Sequence, residues 1–326
     1  MHKYKSQEPV CATEFLEDKS KTGRIRPWAL QKLANSYIAI AYEQVNLRKA
    51  ERLRGCATYL EYLREKEGVL KLHNANFCRV RLCPICQWRR SLKLYGQMRR
   101  IMAYFSEQNK YGYLFLTLTM RNCDPSELSA QIDKLLQAWG KFSRLSAIKA
   151  AVKGWYRGLE VTHNMENDTF HPHLHCILLV NKSYFTSRDY LSQAAITALW
   201  GQSLGVPYTP IVDIRKVKGD TAKAVSEAAK YTYKPSDIIN FSDWDMTVDT
   251  VKTLDAALDN KRLIAFGGLM RQAHKQLNLD NADDGDLLHT TDEGDTIADF
   301  DTANRVLYAW HTGYNQYVRD YTGYSL

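Results

Sequence analysis

The chain has 326 residues, of which 45% are hydrophobic and 25% charged, and this composition excludes an intrinsically disordered protein. Its length is sufficient for two or three packed units. No apolar run approaches the roughly 20 residues that a transmembrane helix needs, and the first residues lack the apolar core of a secretory signal. We therefore expect a cytoplasmic protein that has no membrane partner.

The net charge of +8 is unevenly distributed along the sequence. Residues 1–110 carry 22 Lys and Arg against 10 Asp and Glu, a net of +12. Residues 111–235 carry 15 against 10, a net of +5, whereas residues 236–326 carry 7 against 16, a net of −9. The basic N-terminal part, residues 1–110, attracts polyanions, so nucleic acid is the first partner to consider. Solubility alone is the alternative explanation of this gradient.

Two helices are predicted in the first part of the chain. Pro27 suits the first turn of a helix, and apolar residues follow it at helical spacing until a basic segment near Gly55. A second, short helix is predicted at residues 58–66, with Gly68 as its stop.

Three cysteines then crowd into one motif, with Cys78, Cys83 and Cys86 separated by four and two residues. Thiolates at this spacing can bind one tetrahedral zinc ion, and a reducing compartment favours a metal site over disulfides. The fourth ligand is expected to be Cys56, with His73 in reserve. Such an ion would be structural, because four protein ligands leave no position for a substrate. Buried free cysteines are the alternative.

The helix that follows Cys86 is rich in basic residues and has aromatic and apolar neighbours. If zinc anchors the start of this helix, its basic side can lie along a phosphate backbone. A solvated helix face is the alternative. The residues predicted to contact DNA are Arg79, Arg81, Arg89, Arg90 and Lys93.

Strand and helix patterns alternate through the middle of the chain. Apolar, aromatic and β-branched runs predict strands at residues 113–120 and 154–162, and an amphipathic pattern predicts a helix at 126–141 between them. Farther along, a helix is predicted at 188–200 and a strand at 211–217.

A third central strand contains His171, His173 and His175. Alternation places His173 and His175 on one face, where two imidazoles can bind a single divalent cation. If this strand and the preceding one form a hairpin centred near residues 166–167, Glu160 lies opposite His173 and supplies a carboxylate. A slip of two residues, a surface position for Glu160 and a strand edge that is merely rich in histidine are the alternatives. His171, beside Pro172 at the strand entrance, is expected to support the site or face DNA.

A helix with an N-cap at Asp220 is predicted to run to Lys234. Glu227 and Tyr231 are four residues apart and share one face of this helix, and Lys234 lies on the same side. A carboxylate, a phenol and an ammonium suit phosphoryl chemistry, although many helices hold these residues by chance. Tyr233 faces elsewhere, so we do not expect it to be a nucleophile.

The last part of the chain is acidic between residues 280 and 301 and aromatic in its tail. We interpret the acidic part as a solvated loop that repels DNA and the tail as a packing element.

Together these motifs resemble the replication initiators of rolling-circle plasmids, which are HUH endonucleases. The resemblance rests on four segments: the strand at 115–119, the acidic strand at 158–162, the histidine motif at 171–175 and the helix at 227–234. Residues 77–90 and 262–286 also resemble this family, so the resemblance covers nearly the whole chain from about residue 50.

The resemblance implies an α+β fold in which a central antiparallel sheet carries the histidines, with flanking helices and an N-terminal helical zinc-binding module. We accordingly divide the chain into three regions. Residues 1–110 form a basic, zinc-binding DNA-recognition module, residues 111–236 form the nuclease domain, and residues 237–326 form an acidic region that packs on the nuclease domain.

The resemblance also implies an activity, namely a metal-dependent nick at a plasmid's double-strand origin with a 5′-phosphotyrosine link to Tyr231. In this branch Glu227 occupies the position of a second catalytic tyrosine, and Lys234 stabilises phosphate charge. His173, His175 and Glu160 would bind Mn²⁺ or Mg²⁺, and the cysteines Zn²⁺. The partners would be origin DNA, single-stranded at the nick, and a host helicase, whereas the oligomeric state stays open, with a dimer on the origin as one alternative.

Three other functions remain open on the sequence alone. One is a DNA-binding or repressor protein without nicking activity, and another is a conjugative relaxase of the same superfamily. The third is a metal-dependent hydrolase or oxygenase of small substrates, because His-x-His with Glu is also an iron or zinc ligand set. A labelled single strand tested for a denaturant-resistant adduct separates covalent nicking from the rest.

Overall fold

The computed structural model describes residues 13–20, 23–64, 70–218, 221–229, 232–281, 283–290 and 304–322, and of residues 221–223 the backbone alone. The helices are α1 (Trp28–Tyr42), α2 (Leu47–Arg54), α3 (Pro84–Glu107), α4 (Leu128–Phe142), α5 (Ser146–Ala151), α6 (Gln193–Leu204), α7 (Thr221–Ala228), α8 (Trp244–Leu258) and α9 (Gly268–Gln276). The strands are β1 (Tyr59–Arg64), β2 (Leu70–Ala75), β3 (Tyr111–Thr119), β4 (Val152–Asn164), β5 (Thr169–Asn181), β6 (Val212–Lys216), β7 (Ile264–Gly267), β8 (Asn304–His311) and β9 (Gln316–Asp320). Helices and antiparallel strands are mixed in this way, so the predicted α+β class is confirmed.

The larger sheet has the strand order β6-β3-β5-β4-β7, and every neighbouring pair is antiparallel. Its centre is the long β4–β5 hairpin, whose two strands alternate in the faces to which their side chains point. In this hairpin Glu160 pairs directly with His173, which confirms the register inferred from symmetry about the loop. The same register places His175 opposite Gly158.

Helices cover both faces of the larger sheet. On one face, apolar residues of α3, α7 and α9 pack against Phe115, Tyr156 and Ile177. On the other face, α4 packs on the leucines that alternate with the histidines, such as Leu174, and α6 packs beside α4 and against β6. The histidines therefore point toward the layer that contains α3 and α7. Among the described residues, none of the helices is both long and apolar enough to cross a membrane.

A second sheet, with the order β2-β1-β8-β9, corrects two predictions. The helix predicted at residues 58–66 is wrong: β1 occupies this segment, with Leu60 and Tyr62 buried in a two-residue period. The aromatic tail supplies β8 and β9, and β8 pairs with β1 along its whole length. The first region is therefore not purely helical, and part of the last region packs on it rather than on the larger sheet.

Candidate functional site

Glu160, His173 and His175 form a compact group on the face of the larger sheet that is directed at α3 and α7. One carboxylate oxygen of Glu160 lies 2.8 Å from Nε2 of His175 and 3.5 Å from Nε2 of His173. Possible ligand atoms of the three residues all lie within 4.8 Å of one another. Glu160 and His173 are buried, with exposed fractions of 6% and 7%, so this polar cluster needs internal partners.

Hydrogen bonds fix the orientation of both imidazoles. Nδ1 of His173 donates to the carbonyl of His171 at 3.1 Å, and Nδ1 of His175 lies 3.2 Å from the hydroxyl of Thr117. Nε2 of His173 therefore faces a carboxylate oxygen, and these two atoms attract each other only when a proton or a cation lies between them. This donor set is compatible with a divalent metal ion, which the three residues would hold while leaving other ligand positions open.

The charge state of Glu160 suits the same interpretation. Burial would raise the pKa of its carboxyl, but hydrogen bonds and charge from His173 and His175 hold that pKa well below its ordinary value. Burial and the neighbouring His173 lower the pKa of His171. His171 is bound through Nδ1 to Asn122 at 2.9 Å and is not a member of the three-residue group.

The helix predicted to run to Lys234 ends instead at Ala228, whereas the shared face of Glu227 and Tyr231 stays a prediction. Tyr231 itself lies outside the described residues. The residues on either side of this gap are hydrogen-bonded to β4. The carbonyl of Ala228 accepts from the hydroxyl of Tyr156 at 3.0 Å, and the carbonyl of Thr232 accepts from the backbone of Val161 at 2.7 Å.

Val161 follows Glu160 directly, so these two bonds attach the chain beside the histidine–glutamate group. A cleft opens from this group toward α3. Its lining includes Glu160, His175, Ala228, Thr232, Gln87 and Asp283. Ala228 and Thr232, which flank residues outside the described part, thus line the same cleft as Glu160 and His175.

The other predicted members of the nucleophile helix have separate surroundings. Glu227 forms a 2.7 Å ion pair with Arg215, whose guanidinium lies 4.8 Å from the ring centre of Phe115. Lys234 is exposed. Tyr233 is fully buried and donates its hydroxyl to the carbonyl of Arg81 at 2.9 Å, while burial raises its pKa, so its phenol is a packing group.

The four cysteines Cys56, Cys78, Cys83 and Cys86 come together at the start of α3. Three of the distances between their sulfurs are 3.6, 3.7 and 3.9 Å. A tetrahedral ion with Zn–S distances of about 2.3 Å separates its sulfurs by about 3.8 Å, so the group fits a metal ion. Among the described residues, this group contains Cys56 and not His73.

Backbone geometry supports that fit. The N–H groups of Cys78, Arg79 and Val80 point at cysteine sulfurs at 3.3 to 3.4 Å, and such donors stabilise thiolates. The sulfur of Cys83 also accepts from the N–H of Cys86 and so caps α3, which begins with Pro84 in its first turn.

The prediction that Arg89, Arg90 and Lys93 contact DNA is wrong, because all three side chains are buried against residues 280–288. Arg89 is 1% exposed and donates to the carbonyls of Leu287 and Leu288 at 2.9 and 2.7 Å. Burial lowers its pKa to about 10, which still leaves the guanidinium charged at neutral pH.

Arg90 and Lys93 bind the same segment, through the carbonyl of Asp283 and the carboxylate of Asp280. The described residues of the acidic stretch thus pack on α3 and are not a solvated loop, whereas residues 291–303 lie outside the described part. Arg79 is exposed and bonded to the carbonyl of Asp284 at 2.8 Å, and Arg81 is half-buried. For these two, DNA contact stays a prediction.

Replacing Arg89 by alanine is expected to lower the free energy of unfolding by about 2–4 kcal/mol, because two buried carbonyls lose charged donors and two tryptophans lose a stacked guanidinium. Urea unfolding measures this loss. Arg305→Ala, at a side chain that is 72% exposed, is the control and should change stability by less than about 0.5 kcal/mol. If Arg89→Ala instead reduced the salt dependence of DNA affinity by about one counterion without loss of stability, Arg89 would be a phosphate contact.

Sequence reasoning missed Thr117 and Arg215. Thr117 interrupts the apolar pattern of β3, and that polar position was the available signal that it faces His175. No local signal indicated Arg215, because its approach to Glu227 depends on how β6 and α7 pack.

Comparison with known proteins agrees with these motifs. A family model described as "Replication protein" matches residues 69–318. A "Protein rep" of Bacillus amyloliquefaciens is 40% identical over 93% of this chain and 97% of its own length. The "Protein rep" of Streptococcus pneumoniae serotype 2 (strain D39 / NCTC 7466) is 36% identical over 98% of this chain and 99% of its own length.

A further "Protein rep", from Lactiplantibacillus plantarum, is 34% identical over 91% of this chain and 96% of its own length. No solved structure matches the chain significantly. The family model covers well over half of the chain, and relatives above 30% identity span nearly all of it. The chain therefore belongs to the replication protein family, which is the family of plasmid replication initiators that its motifs resemble.

Proposed function

We propose that this initiator starts rolling-circle replication by nicking one strand at the double-strand origin of its plasmid, through a 5′-phosphotyrosine intermediate on Tyr231. The observation that carries the proposal is the convergence of Glu160, His173 and His175 beside the two points where the chain around Tyr231 is bonded to β4. The protein acts where plasmid DNA is, in the cytoplasm, with a host helicase that unwinds the displaced strand.

Glu160, His173 and His175 would hold the catalytic Mn²⁺ or Mg²⁺. When bound, such an ion supplies positive charge that stabilises the negative charge developing on the scissile phosphate. The protein contributes the position of the ligands: Thr117 and the carbonyl of His171 orient the two rings, and the surrounding burial excludes bulk water.

The phenol of Tyr231 attacks phosphorus, and the bond from phosphorus to the 3′ oxygen breaks. Tyr231 thereby becomes linked to the 5′ phosphate, and the released 3′ hydroxyl primes synthesis. A free phenol has a pKa near 10, so its proton must leave during the attack. We assign to Lys234 the stabilisation of the negative charge on the phosphate. A structural Zn²⁺ in the DNA-recognition region of residues 1–110 would be bound by Cys56, Cys78, Cys83 and Cys86.

The test uses labelled single strands that tile the replicon carrying the gene, incubated with the protein and Mn²⁺. We expect one strand to give a denaturant-resistant protein–DNA adduct and a free 3′ hydroxyl end. His173→Ala and His175→Ala should abolish the adduct. His311→Ala, at an exposed histidine in β8, is the matched control and should retain it. Binding without any adduct under Mn²⁺ or Mg²⁺ would identify a DNA-binding protein that does not nick.

Glu227→Ala is expected to preserve the first nick and to slow termination by at least about 100-fold, because a general base contributes about that much or more. In our proposal Glu227 activates the water or the second strand that ends the round. The measurement follows release of a preformed adduct after addition of a second origin strand. Asp213→Asn is the matched control, because Asp213 is a second carboxylate beside Arg215, at 3.7 Å. Normal termination by Glu227→Ala would remove Glu227 from the mechanism.

A further inference from the structure

A polar and aromatic surface continues from the histidine–glutamate group along the end of the larger sheet. It consists of Arg121, Asn122, His171, Tyr208 and Ile211, and we refer to it as the Arg121 strip. The ring centre of His171 lies 5.2 Å from that of His173, and the amide of Asn122 lies 2.9 Å from His171. Arg121 precedes Asn122, so the strip begins at the proposed metal ligands and leads away from them.

Arg121 is exposed, and its guanidinium lies 4.1 Å from the ring centre of Tyr208. In the described part of the chain, no carboxylate lies within ion-pair distance of Arg121, in contrast to Arg215 beside Glu227. The guanidinium lies over the tyrosine ring, and because the Arg121 side chain is exposed it can still meet a ligand. A planar cation in this arrangement can stack on a nucleobase and donate to a phosphate.

The strip is held in place by the fold. The hydroxyl of Tyr208 accepts from the backbone of Arg121 at 3.1 Å, which ties the loop before β6 to the end of β3. The backbone and the hydroxyl of Thr119 both donate to the carbonyl of Ile211. Ile211 is nevertheless 75% exposed, so the loop that is bonded to the end of β3 also presents an apolar side chain to solvent. The surface is therefore preorganised before any ligand binds.

We propose that the Arg121 strip is the platform for the DNA strand on one side of the scissile phosphate, with a base stacked on Arg121 and Tyr208. This inference rests on the proposed nicking function for its biological purpose, but it concerns binding of single strands and is tested separately. Single-strand sites combine aromatic or guanidinium stacking with positive charge, and they tolerate many sequences because every base has a stacking face.

The first experiment measures the affinity of the full chain for fluorescein-labelled (dT)15 in buffer without added Mn²⁺ or Mg²⁺ and without a chelator, so that no nicking is expected and the proposed zinc ion stays bound. Arg121→Ala and Tyr208→Ala are each expected to weaken binding about tenfold, which corresponds to the loss of one stacked base. Arg121→Lys keeps the charge without the plane and should still weaken binding about threefold or more. The matched control is Lys110→Ala with Tyr111→Ala, a cation–ring pair at the opposite end of β3, and it should bind normally.

The second experiment uses the mapped nick-site strand with either its 5′ or its 3′ arm shortened to two nucleotides. The defect of Arg121→Ala should persist with one shortened arm and disappear with the other, which identifies the arm on the strip. Two results would overturn the inference. One is a folded Arg121→Ala protein that binds (dT)15 with unchanged affinity, and the other is a binding defect of Arg121→Ala that is the same whichever arm is shortened. If the wild type never forms an adduct but Arg121→Ala still weakens (dT)15 binding, the proposed function fails and this inference survives.

Discussion

Tyr231→Phe is expected to abolish nicking of single-stranded origin DNA, with a loss of at least about 10⁴-fold, while changing the affinity for the strand by less than about twofold. The reason is chemical: phenylalanine has no oxygen to attack phosphorus, and removal of a nucleophile costs orders of magnitude in rate. Phenylalanine keeps the aromatic ring of tyrosine, so the affinity for the strand should change little. The measurement is the yield of denaturant-resistant adduct at fixed Mn²⁺ and protein concentration, together with the equilibrium affinity in buffer without added divalent metal ion and without a chelator.

Tyr233→Phe is the matched control for this prediction. Its hydroxyl is buried against the carbonyl of Arg81, so the substitution should cost about 1 kcal/mol of stability and leave the adduct yield unchanged. Peptide mapping of the wild-type adduct then identifies the linked residue. Covalent product from Tyr231→Phe, or linkage of the DNA to Tyr233, would refute the assignment of Tyr231.

The sequence predicted the β4–β5 hairpin well because the information is local. A short polar loop joins the two strands, and a period of two residues fixes which side chains share a face. Symmetry about the loop was therefore sufficient to pair Glu160 with His173. The proximity of His175 to the same carboxylate oxygen then follows from alternation along one strand.

The incorrect predictions share a different origin, since each involves a partner that is distant in sequence. β1 pairs with the neighbouring β2 on one side and with β8, from the far end of the chain, on the other, and nothing in residues 58–66 identifies β8. Arg89 is buried where it donates to the carbonyl of Leu287, which lies 198 residues farther along the chain. α7 ends where Ala228 and Thr232 accept hydrogen bonds from Tyr156 and Val161 of β4. The helical periodicity of the sequence carries no information about these bonds.

Removal of the proposed zinc ion is expected to have a large effect on the folding of the protein. Metal analysis of dialysed protein should find about one zinc per chain, and a strong chelator should unfold the region around the four cysteines. Structural zinc ions contribute about 10 kcal/mol or more to folding, so the loss should be cooperative and local. Hydrogen exchange should show lost protection in β1, β8 and β9 and retained protection in β3, β4 and β5.

The local pattern follows from what the cluster holds together. Cys56 directly precedes Ala57, whose carbonyl accepts from the buried hydroxyl of Tyr317 in β9 at 2.7 Å. Lys32, 2% exposed, donates to the carbonyls of Arg54 and Cys56. A zinc ion with four thiolates carries a net charge of −2, and this buried ammonium offsets part of it. Loss of the ion, with protonation of the four thiolates, therefore leaves the Lys32 ammonium buried without its compensating negative charge.

Cys83→Ser tests the same prediction without a chelator. A serine hydroxyl is a poor zinc ligand, so the variant should lose the stoichiometric zinc and the protection of β1 and β8. Cys123→Ser is the matched control, because Cys123 is buried beside the carbonyl of Phe170 and lies outside the four-cysteine group. It should retain one zinc per chain. Folded wild-type protein that contains no zinc, or Cys83→Ser that keeps its zinc, would exclude a structural role for a zinc ion at this cluster.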